Sequence, residues 1–220
     1  QYMDNETEEN YLKAIKYYEF ASEYGSDEAK SSISDTYYSL GFLFHISNSE
    51  KKLNYKKAIE NYERSILFDK DSRSILGIGE IYMEGGYGVK KDLRKAISYF
   101  KRIPENRNSF LKLGQAYNEL ADFSNAFDNY NRWLTDLDID SFSMWDIYDV
   151  IEFFKDNKLD LPKTITNDNE LRIRVEEELY SSISSILNHV FNGRGIDHDD
   201  PFVKSKFAVL TYFKLASRRS

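Results

Sequence analysis

Apolar residues recur every three to four positions along most of this chain, and the phase resets at glycines, prolines and short polar runs. That period is the signature of amphipathic helices. It predicts helices at about 6–24, 27–47, 54–69, 73–84, 91–103, 107–120 and 123–137. Gly25 ends the first, and Pro104 stops the fifth, as prolines commonly do just beyond a helix. Ser26-Asp27 and Asp71-Ser72 supply N-cap residues. Beyond 138 the pattern is less regular. A strongly apolar helix is expected at 141–157, then a connector, "KLDLPKTITND". A long helix from Asn167 or Asp168 to about 192 and a last one at 202–217 follow. Helices that pair with their neighbours leave 141–157 without a partner.

Two tags repeat within this pattern. Lys-Ala-Ile occurs at 13–15, 57–59 and 95–97, each followed by aromatics, and Asn125-Ala126-Phe127 is a looser copy. The tag alanines stand at 14, 58, 96 and 126, giving spacings of 44, 38 and 30. A second tag precedes the last three: Leu40-Gly41, Ile78-Gly79 and Leu113-Gly114, with Phe44, Tyr82 and Tyr117 three residues past the glycines. Small residues at fixed turns let two helices approach, and large ones fill the space beside them. Ala96 and Gly79 are thus the expected contact points of one hairpin. Ile75, Ile78 and Tyr82 share one helix face. Three of the ten glycines crowd into Gly85-Gly86-Tyr87-Gly88, between two of the predicted helices.

These tags resemble tetratricopeptide repeats and the longer Sel-one-like repeats. "LGIGEIYMEGGYGVKKDLRKAISYF", from 76 to 100, is similar to a Sel-one-like unit, whose G-x-G-V-x-x-D turn reads here as Gly86, Gly88, Val89 and Asp92. "FLKLGQAYNELADFSNAFDNYNRWL" resembles a tetratricopeptide unit with a short turn. A fainter copy places Gly193, Gly195, Ile196 and Asp199 at the same spacing, but some five extra residues then precede "VLTYFK". The resemblance implies an all-α fold, a superhelical solenoid of stacked antiparallel helical hairpins. It covers about 10–137 well and the remainder weakly. The expected division is therefore a repeat solenoid over 1–137 and divergent repeats or a capping region over 138–220. The turn glycines have a structural reason in such a unit, because they permit positive φ, and Asp92 can cap the next helix.

Composition narrows the function. Net charge is −7, and lysines and arginines look scattered, with Arg218-Arg219 the closest approach to a basic cluster. A nucleic-acid surface needs dense positive charge, so no nucleic acid is expected. No apolar run is long enough to predict a membrane span. Cysteine is absent, which removes thiolate chemistry and leaves the compartment open. The chain begins at Gln1, as expected of a mature form or an excised piece. The glycine loop lacks the Lys-Ser/Thr and preceding strand of a phosphate loop. No G-x-S-x-G elbow occurs. "NHVFNGRGIDHDD" gathers His189, Asp197, His198, Asp199 and Asp200. Such residues could hold a divalent cation, which makes a metal-dependent enzyme the alternative reading. Ordered zinc-ligand spacings are absent, and a solvated acidic turn explains the same residues. No cofactor is expected.

The leading expectation is a non-enzymatic scaffold or adaptor that binds a protein or peptide. The resemblance implies adaptor roles, and in tetratricopeptide units certain positions of the first helix line the concave face. Counted from the tag glycines, they are Tyr38, Phe42 and His45; Leu76, Glu80 and Met83; and Leu111, Gln115 and Asn118. Burial by neighbouring helices is the competing reading for each. A clamp for a C-terminal carboxylate needs Lys, Arg and Asn at early positions, where Tyr38, Leu76 and Leu111 stand instead. An apolar or mildly basic segment fits this face better. The tag-associated aromatics Tyr18, Tyr62, Tyr99, Phe100 and Tyr130 are mostly expected in the core.

Overall fold

A computed structural model describes residues 8–46, 53–135, 144–167, 169–191 and 200–216. Among them the backbone forms α-helices and no β-strand. The chain divides into two compact units, Gln1–Phe123 and Ser124–Ser220. This division falls one helix before the end of the predicted repeat region, inside the tetratricopeptide-like stretch.

The first unit contains α1 (Glu8–Glu23), α2 (Asp27–His45), α3 (Tyr55–Phe68), α4 (Ser72–Glu84), α5 (Leu93–Phe100) and α6 (Arg107–Glu119). Each packs on the next in sequence, and α2 also meets α4, as α4 meets α6. This contact order is that of stacked helical hairpins. Local chemistry sets the ends. Asp71 accepts a hydrogen bond from the Arg73 N–H at 3.0 Å, and Asp92 one from the Lys95 N–H at 3.0 Å. Ser26 stands at the α2 N-cap without a side-chain bond to it. The fifth helix stops at Phe100, three residues short of the prediction, in a turn closed by Arg102 N–H to Tyr99 O at 2.9 Å.

The glycine cluster is a turn. Gly86 and Val89 exchange both backbone hydrogen bonds, at 2.8 and 2.9 Å, around Tyr87 (φ 45°) and Gly88 (φ 93°). Two successive positive φ values are those of a type I′ turn. Gly85 also has positive φ, and a side chain there would strike the Lys91 backbone. The loop is thus a tight connector between α4 and α5.

The tags pack as a lock between helices. The Tyr62 ring of α3 lies between Gly41 of α2 and Gly77 of α4, where a methyl group would come within 2.6 and 2.8 Å of it. Phe100 of α5 lies against Gly79 of α4 in the same way. Ala58, Ala96, Tyr62 and Phe100 are buried around these contacts. Three buried serines join α2, α3 and α4: Ser65 Oγ is 3.0 Å from Ser34 Oγ and 2.9 Å from Ser74 Oγ. Asp71 Oδ2 accepts from Ser74 at 3.0 Å, so the network ends on the α4 cap.

The second unit begins just after the first residue of α7 (Phe123–Thr135) and contains α8 (Met144–Asp156), α9 (Lys163–Asn167), α10 (Asn169–Phe191) and α11 (Pro201–Ala216). Here α8, α10 and α11 pack on one another. Val175, Leu179, Ile183 and Leu187, spaced four apart on α10, are buried, as are Ile147, Ile151 and Phe154 of α8 and Val209 and Phe213 of α11. The helix at 141–157, which had no hairpin partner in the sequence, is one member of this three-helix cluster. The expected connector contains the short α9, pinned by buried Ile165.

Candidate functional site

The nine groove positions lie on α2, α4 and α6, the alternate helices of the first unit. The structure separates them into surface and core. Phe42 is 42% exposed, and its ring centroid is 6.2 Å from that of Tyr38. Tyr38 is half-buried, with its ring 5.8 Å from Tyr62 and the Arg73 guanidinium 4.4 Å over its face. Arg73 is held there by Asp71 at 3.0 Å and by Asp35. Burial raises the Tyr38 pKa, the Arg73 charge opposes that, and Asp71 and Glu80 add to it. Tyr38 therefore stays a neutral phenol at neutral pH.

Glu80 is partly buried and pairs with Lys112 of α6 at 3.2 Å. Its field acts on both Tyr38 and His45, so the candidates of α2 and α4 adjoin. Leu76 and Met83 are partly buried against a cluster that includes Ala96, Phe100 and Leu113. Gln115 is half-buried and Asn118 exposed. Two candidates belong to the core. His45 is 5% exposed and Leu111 4%. His45 stands edge-on to Tyr55 and Tyr62, with Nδ1 3.2 Å from the Tyr62 hydroxyl. Burial lowers its pKa against the pull of Glu80 and Glu84, with Lys112 adding to the lowering. His45 and Leu111 are therefore core residues, and His45 is covered by Tyr55 and Tyr62 of α3.

What remains at least partly accessible is the aromatic pair Tyr38 and Phe42, the Glu80–Lys112 ion pair and the amides Gln115 and Asn118 of α6. It offers apolar contact and hydrogen bonds. Its charges are largely spoken for: Glu84, nearby on α4, accepts a 2.8 Å hydrogen bond from the Tyr55 hydroxyl. Sequence reasoning missed Arg73 and Lys112, since neither stands at one of the three tag-relative positions counted on each helix. It also missed a basic patch. Lys90, Lys91, Arg94 and Lys95 line one hollow at the start of α5 together with Asp92, Tyr82, Leu93 and Leu120. The turn and the first helical residues bring these cations to one side.

Of the acidic loop, residues 192–199 lie outside the described residues, including Asp197, His198 and Asp199. His189 is exposed on α10. Asp200 accepts a hydrogen bond from the Phe202 N–H at 2.7 Å and so caps α11. Among the described residues no three His, Asp or Glu converge as a metal-ligand set. No described helix is long and apolar enough to cross a membrane.

The family model for the Sel1 repeat matches residues 4–26, 34–67 and 72–103. These segments correspond to α1, to α2 with α3, and to α4 with α5. Residues 4–103 therefore carry Sel1 repeats, within an all-α repeat architecture. Comparison with curated proteins returns no match. Sel1 repeats generally mediate protein–protein interaction and are typically non-enzymatic.

Proposed function

We propose that this protein is a non-enzymatic scaffold that binds an extended or helical peptide segment of a partner across α2, α4 and α6. One observation supports the reading: a 42% exposed Phe42 stands beside half-buried Tyr38, and Tyr38 in turn feels the charge of Glu80, the partner of Lys112. Aromatic anchors dominate binding energy at protein interfaces, and complementary charges around them guide encounter. A preformed helical face loses little conformational freedom on binding, which favours affinity. Because Glu80 and Glu84 already have partners in the fold, the segment that suits this face is mainly apolar, with at most a mild positive charge.

The experiment is selection of peptides from a random library on the full chain, followed by affinity measurement on variants. Phe42→Ala should weaken selected peptides about tenfold or more while the far-UV circular dichroism stays unchanged. Tyr38→Ala is a poorer probe, because Tyr38 also packs on the core. Selected peptides that bind Phe42→Ala as tightly as the parent chain would reject this face.

A further inference from the structure

The tag occurs four times, and the four copies do not share one environment. The tag alanines Ala58, Ala96 and Ala126 are each 0% exposed, and the aromatics four residues on, Tyr62, Phe100 and Tyr130, are at most 2% exposed. In α1 the same positions are Ala14, only partly buried, and Tyr18, 38% exposed. Ile15, one position along, is buried against Ile33 and Tyr37 of α2, so α1 is properly seated on the helix that follows it. What covers the tag face in α3 and α5 is a glycine-bearing helix: Gly41 of α2 lies on Tyr62, and Gly79 of α4 on Phe100. Among the described residues no helix takes that place over Tyr18.

The outer side of α1 departs in the same direction. Six residues past the tag alanine the chain has Arg64, Arg102 and Arg132, but Phe20 in α1. Phe20 is 61% exposed, and Tyr17 and Tyr24 are each 77% exposed. At 100° per residue, Ala14, Tyr17, Tyr18, Ala21 and Tyr24 fall on one side of α1, with Phe20 at its edge. Large aromatics flanking a ridge of small residues form a surface for close helix packing. Lys13 and Lys16 border it, with Glu9 and Glu23 beyond.

We infer that this face of α1 is a docking site for an amphipathic helix of a partner protein. That helix has the small-residue register of α2 and α4, with a glycine or alanine over Tyr18. It extends the stack by one layer, and it uses a surface separate from the α2/α4/α6 face proposed above. The internal repeats define the occupant, because the same side-chain set takes a helix of this type in two places in the molecule.

The test appends a copy of residues 71–85, the α4 pattern, to the N-terminus of the full chain through a flexible Gly/Ser linker, so that docking is intramolecular. Amide hydrogen exchange across α1 should slow about tenfold or more relative to the unextended chain. The slowing should vanish when the appended copies of Gly77 and Gly79 are both replaced by Leu, and when Tyr18→Arg is introduced in α1. Unchanged exchange in α1, or slowing that survives the Leu replacements, overturns the assignment. Sedimentation of the unextended chain at rising concentration gives a second arm. A dimer abolished by Phe20→Glu would place a second copy of this chain on α1 and would equally overturn it, whereas a monomer agrees with it. Loss of peptide binding to the Phe42 face would leave both arms unaffected.

Discussion

His45 shows how one side chain changes role with its surroundings. Its tag-relative position matches that of groove residues, yet it is 5% exposed and set between two tyrosine rings. Burial holds its pKa below the ordinary value near 6.5. The consequence for stability has a definite sign. Between the ordinary and the lowered pKa the unfolded chain binds a proton that the fold does not, so falling pH favours unfolding there. This contribution is fully present above the ordinary pKa and is lost as pH falls through it towards the folded pKa. In urea titrations at about pH 7.5 and about pH 5, the parent chain should lose more stability on acidification than His45→Gln. Equal losses would show that His45 is not buried as a neutral ring.

Between helices, the contact that decides packing is a ring against glycine. Tyr62 contacts both its own hairpin partner, α2, and the next helix, α4, so one aromatic ties two repeats together. Adding a methyl at Gly77 sets overpacking, about 1–3 kcal/mol, against a gain in helix propensity of about 1 kcal/mol. Gly77→Ala should therefore cost up to about 2 kcal/mol net, read as a lower urea midpoint with unchanged slope. A stabilised variant would mean that the helices can part at no cost. The turn at Gly85–Gly88 was legible at this scale because glycine takes positive φ at no steric cost, as Gly85, Gly86 and Gly88 do here. The serine contacts among Ser34, Ser65 and Ser74 were not legible. Serine is common on exposed helix faces, and only the crossing of three helices brings these three hydroxyls together.

Over the whole molecule, repeats and compact units do not end at the same place. The repeat pattern expected from the sequence runs through α7 and the family model matches as far as residue 103, while the first compact unit ends at Phe123. Residues 1–123 contain their own buried clusters around Tyr62 and Phe100. Expressed alone, that fragment should show helical circular dichroism and a cooperative urea transition. A gradual, non-cooperative loss of signal would show that it needs the rest of the chain. The helices, their turns and the recurring small-and-aromatic tags were determined by the sequence itself, because helix period, capping and positive φ act over a few neighbouring residues. Whether a tag-positioned side chain became surface or core was decided only in three dimensions. Phe42 and His45 lie one turn apart on α2, and Tyr18 and Tyr62 share one tag position, yet in each pair the first is exposed and the second buried. Burial is set by which other helix arrives to exclude water, and that helix lies beyond the few residues that fix local structure or, for the tag face of α1, is absent from the described residues.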